Sequence, residues 1–86
     1  MISVYDAYSM IEKSLNDDEV IAGIGESENY YIFDIREKNG GDMTVYDIPC
    51  VSKDGKIFSI DFFDWCEEVD KGKTRVIDLE KMKSDN

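Results

Sequence analysis

Five carboxylates crowd one short stretch of this chain, Asp61, Asp64, Glu67, Glu68 and Asp70, and Asp17-Asp18-Glu19 forms a second cluster upstream. Carboxylates at close spacing can hold a hard cation or act as an acid–base pair on a glycosidic bond. Neither cluster has the central glycine and terminal glutamate of a calcium-binding loop, so both read as solvated helix ends and faces. Histidine is absent, which removes the imidazole base and with it the Ser-His-Asp and Cys-His arrangements. Two cysteines, Cys50 and Cys66, fall short of the four or so ligands of a structural zinc site and read as reduced, small hydrophobes. Gly23-Ile24-Gly25 is a fragment of a dinucleotide fingerprint that lacks the third glycine and the receiving helix. The expectation is a protein that is not an enzyme and holds no metal or cofactor.

The densest aromatic patch, Phe58, Phe62, Phe63 and Trp65, is interrupted by acids. Aromatic side chains among charges have the chemistry of a protein-binding hot spot. The plainer reading gives Phe58, Phe62 and Trp65 to the core. Phe63 is least explained that way, because it falls off the Phe62–Trp65–Val69 stripe. Phe63, Asp64, Trp65, Glu67 and Glu68 are therefore the candidate partner-binding residues.

Charge narrows the partner. Acids number 20 and bases 10 in 86 residues, a formal charge of −10. Residues 1–43 hold 10 acids and 3 bases and the remainder 10 acids and 7 bases, so neither half is basic. Binding to phosphate backbones or anionic membranes needs clustered Lys and Arg, so direct nucleic-acid and membrane binding are disfavoured. A basic protein is the expected partner, held by an acidic module of the immunity or inhibitor type. Two alternatives stand beside it. One is a phage or mobile-element DNA mimic opposing a host defence factor. The other is a small assembly subunit that self-associates through its sheet, possible as a homodimer. There is no run of about 18 apolar residues, and Met1–Asp6 carries neither a basic nor a long apolar segment. A cytoplasmic location is expected on those grounds.

The elements that must position these residues follow from periodicity. Residues 3–16 predict a helix capped by Ser3, with Asp6 in the capping-box position and Val4, Ala7, Tyr8, Ile11, Ser14 and Leu15 as its apolar stripe. Val20–Ile24 predicts a strand bent or bulged at its glycines. Tyr30–Arg36 predicts a strand with Tyr31, Phe33 and Ile35 on one face and Tyr30, Ile32, Asp34 and Arg36 on the other. Asn39-Gly40-Gly41-Asp42 signals a turn, and Met43–Val51 a third strand in which Pro49 requires an edge, a bulge or a kink. Ser52–Lys56 is a second turn, leading into a strand at Ile57–Ile60. Asp61 then caps a short helix that buries Phe62, Trp65 and Val69, with Gly72 as its left-handed stop; continuation of the strand through Phe62 is the rival. Thr74–Leu79 reads as a last strand and residues 80–86 as a frayed tail.

The fold class expected is α+β in a single domain. An N-terminal helix packs on an antiparallel meander of about four strands, with a short C-terminal helix and strand. The second sheet face, with Tyr30, Ile32, Tyr46, Ile48, Phe62 and Trp65, needs a cover, from the second helix or from a partner. The order of elements, the Asp6-Ala7 start of the first helix, Tyr31-Ile32-Phe33 and the hairpin Val51-Ser52-Lys53-Asp54-Gly55-Lys56-Ile57 resemble two small families. These are the PepSY-type domain and the YrhB-type domain found among immunity proteins of polymorphic toxin systems. The resemblance covers residues 4–60, implies the same α+β order and an immunity role, and transfers no functional residue. Residues 61–86 match neither family.

Overall fold

Ser3 accepts a hydrogen bond from the Asp6 amide at 3.1 Å, while the Asp6 carboxylate receives the Ser3 amide at 3.3 Å. That reciprocal cap satisfies two amides the helix would otherwise leave open and starts α1 (Val4–Glu12). The helix stops short of the expected residue 16 because the Ser14 hydroxyl takes the Ile11 carbonyl at 2.7 Å and the chain turns. The computed structural model describes residues 1–39, 47–72 and 74–84. The expected turn residues Gly40, Gly41 and Asp42, the start of the third strand at 43–46 with Tyr46, and Asp85-Asn86 lie outside the described residues.

Four strands run as an antiparallel series: β1 (Glu19–Glu26), β2 (Tyr30–Glu37), β3 (Asp47–Ser52) and β4 (Ile57–Asp61). The register of β1 against β2 shifts between Ile21 and Gly23, the bulge that the glycines signalled. Gly55 at φ 96° turns the β3–β4 hairpin, closed by the Ser52 amide on the Lys56 carbonyl at 2.8 Å. The chain then forms α2 (Phe62–Asp70), which is capped as expected by Asp61, whose carboxylate accepts the Phe63 amide at 3.1 Å. Gly72, at φ 68°, follows its end. A short β5 (Arg75–Ile77) pairs antiparallel with β1, giving the strand order β4-β3-β2-β1-β5. The path β4–α2–β5 thus runs from one sheet edge to the other, and the meander becomes a five-stranded sheet.

The C-terminal expectation needs correction. Residues 80–86 are not a frayed tail over their described part: Leu79–Ser84 forms α3, and Leu79 belongs to this helix rather than to the last strand. Asp78 caps it, its carboxylate accepting the Lys81 amide at 3.2 Å and its carbonyl the Met82 amide at 2.9 Å. Met82 is 6% exposed and joins Ala7, Tyr8, Ile11, Ile24, Tyr31, Phe33, Ile35 and Val51 in the main core.

Strand alternation sends Ile32, together with Ile48 and Cys50, to the opposite face, where Tyr30, Ile60, Phe62 and Trp65 pack over them. The layers are therefore α1 with α3, the sheet, and α2. Among the described residues no helix is long and apolar enough to cross a membrane.

Pro49 sits where one-sided pairing tolerates it. Lys53 donates its amide to the Asn29 carbonyl, so residues 51 and 49 face the β2 edge by alternation. The recorded β2–β3 register ends at Ile32–Cys50, one residue short of Pro49, which has no amide hydrogen to extend it.

Candidate functional site

The five candidate residues lie on α2, and the helix divides them. Phe63 is 77% exposed, and Asp64 and Glu67 are exposed beside it. Trp65 and Glu68 turn toward the sheet and are half-buried. The expectation that Phe62, Trp65 and Val69 are buried is corrected: α2 contains no fully buried residue, Phe62 and Trp65 are half-buried, and Val69 is 49% exposed. The cause is the width of the sheet. One nine-residue helix rests mainly over β3 and β4, and Val69 projects past the apolar patch it covers.

Phe62 anchors the helix start, with its ring 5.7 Å from Trp65 and 6.1 Å from Phe63, both edge-on. Edge-to-face pairs at such distances add modest stabilisation beyond the area they bury. Tyr30 and Phe58 form a similar pair at 5.3 Å. Beside α2, Gly23, Gly25, Ile32, Asp34, Trp65, Val69, Thr74 and Val76 line an open groove of about 190 Å³. That is below the roughly 300–1,000 Å³ of small-molecule sites and of the size of one inserted side chain. The glycines make the groove. Neither has positive φ, and a Cβ would approach nothing closer than 3.8 Å at Gly23 and 3.9 Å at Gly25. Asp34 at its wall is held by Arg36 Nε at 3.1 and 3.2 Å.

On the other flank, Tyr30, Ile60, Asp64, Glu67, Glu68 and Lys71 surround a cleft of about 290 Å³. Lys71 Nζ binds Glu67 at 2.6 Å, and this bond raises the Lys71 pKa. The Glu68 Oε2 is buried with no hydrogen-bond partner among the described residues. Burial, followed by the neighbouring Glu68 carboxylate, pushes the Tyr30 phenol up to about 12. The same two causes push the buried Cys50 thiol up to about 12. Cys50 is therefore held as the thiol rather than the nucleophilic thiolate. Both cysteines are free. Among the described residues no cluster of His, Cys, Asp and Glu converges in a metal-holding arrangement.

Sequence reasoning passed over the groove. Its signal was present in two strand glycines on the face of Ile32 and Asp34, together with Val76, which is 86% exposed. What it could not supply was the placement of β5 beside β1. Comparison with protein-family models, with curated proteins and with solved structures gives no match.

Proposed function

We propose that this chain is a non-catalytic, acidic protein-binding module of the immunity or inhibitor type, holding a basic protein partner against the outer face of α2. The observation that carries this reading is Phe63, 77% exposed among the exposed carboxylates of Asp61, Asp64 and Glu67. A large ring left in water is a suitable anchor, because its burial in a partner's pocket releases apolar area that the monomer never buried. The surrounding charge, and the −10 of the whole chain, steers a basic surface toward that anchor and speeds encounter. The resemblance of residues 4–60 to immunity-type domains points the same way.

The test is affinity capture from the native host at low salt, followed by reconstitution of the complex with purified components. The expected result is a basic protein bound at one-to-one stoichiometry, with affinity lowered at least tenfold by Phe63→Ala. Recovery of no basic partner, or equal binding by the Phe63→Ala protein, would refute the reading.

A further inference from the structure

The two edges of the sheet are not protected alike. At one, β5 is three residues long and its Arg75 is tied to Glu26. Short, charged strands are how proteins blunt an edge. At the other, β4 runs five residues in unbroken register with β3, with neither a proline nor a bulge of its own. Among the described residues no strand pairs with its outer side. The Ser52 amide bond to the Lys56 carbonyl fixes which groups turn inward. By alternation Phe58 and Ile60 bond toward β3, and Ile57 and Ser59 aim their amides and carbonyls outward. Ile57 is 57% exposed and Phe58 is 37% exposed, one on each face of this edge.

We infer that β4 pairs antiparallel with β4 of a second copy, about a two-fold axis beside Ser59, joining two five-stranded sheets into one. The ends of the strand are self-complementary in charge. Lys56 precedes β4 and Asp61 closes it, so an antiparallel two-fold brings Lys56 of each copy beside Asp61 of the other, and Phe58 beside the apolar Phe58 or Ile60 of the other. Two chains of −10 also repel, which makes the contact weak and dependent on screening. This surface is separate from the outer face of α2.

Sedimentation equilibrium of the intact protein tests the assignment, at about 0.1 mM, first in about 0.15 M salt and then in about 0.01 M, where the screening length grows from about 8 to about 30 Å. Dimer is expected in the first and monomer in the second. Ser59→Pro removes one outward amide without touching the β3 ladder, and Ile57→Lys places like charges at the seam. Each should weaken the dimer at least tenfold while the circular dichroism spectrum is retained. Should Ser59→Pro fail to fold, Ile57→Lys decides. A monomer at both salts, or a dimer unchanged by the folded variants, overturns the inference. If the edge variants instead lose a basic partner while the protein stays monomeric, the edge belongs to that partner and self-pairing is likewise overturned.

Discussion

Lys53 Nζ lies 2.9 Å from the Glu26 carboxylate across 27 residues of sequence, joining the β3–β4 hairpin to the end of β1. Arg75 from β5 reaches the same carboxylate. These cations, through the Lys53 bond first, hold the Glu26 carboxyl below its ordinary value against the opposing effect of burial.

That relationship fixes a sign. A carboxylate with a depressed folded-state pKa adds stability above its unfolded pKa, and the contribution disappears as pH falls through the folded value. Glu26→Gln should lower stability near pH 7 by about 1 kcal/mol or less, as expected of a partly solvated pair. The melting temperatures of the two proteins should converge as pH drops below the usual carboxylate range, about 4. Thermal melts across pH 2–7, an interval spanning that range, provide the check, and a constant gap would contradict it.

Trp65→Ala should destabilise by about 2–3 kcal/mol, under the roughly 3–5 of a fully buried tryptophan, because the groove leaves one side of the ring without neighbours. Phe63→Ala should change stability by no more than about 0.5 kcal/mol. Urea unfolding of both variants separates the anchoring ring from the exposed one.

Met82→Ala should cost about 2–4 kcal/mol, the range for emptying a buried Met site. An unchanged urea midpoint would mean that α3 does not hold its place against α1.

Gly25→Ala should stabilise by about 0.4–1 kcal/mol, since the backbone there suits alanine and the added methyl meets only ordinary contacts. Gly55→Ala should destabilise by about 1–2 kcal/mol, because φ 96° is left-handed territory. Opposite shifts in melting temperature for these two chemically identical changes are the expected result.

Where a feature depends on neighbouring residues, the sequence was readable. The Ser3–Asp6 cap, the alternation of Tyr30–Arg36, the Asp54-Gly55 turn, the Asp61 cap and the Gly72 stop are each set within a few residues, by hydrogen-bond geometry or φ. The third helix escaped because Leu79 and Met82 are its only apolar residues, too few for a periodic signal, although Asp78 is a serviceable cap. The burial of Val69 was misjudged because helical spacing defines a stripe but not the width of sheet beneath it. In the same way, Gly23 and Gly25 announced a bulge, while the groove they floor depends on β5 arriving from a distant part of the chain. The candidate residues were legible as a helix face, and their division into outward Phe63, Asp64 and Glu67 and inward Trp65 and Glu68 follows from how α2 seats.

The crossing from β4 through α2 to β5 also sets an order of assembly. β1 to β4 zip together between sequence neighbours, each step closing a short loop, whereas Gly25 meets Val76 only after most of the chain has been gathered between them. Loop-closure entropy makes that pairing a late event, rewarded by the Glu26–Arg75 pair and the docking of Met82 together. The outer edge of β1 is consequently open in the folding intermediate that precedes it, and its closure by β5 and α3 is the point at which the sheet gains its short, charged border.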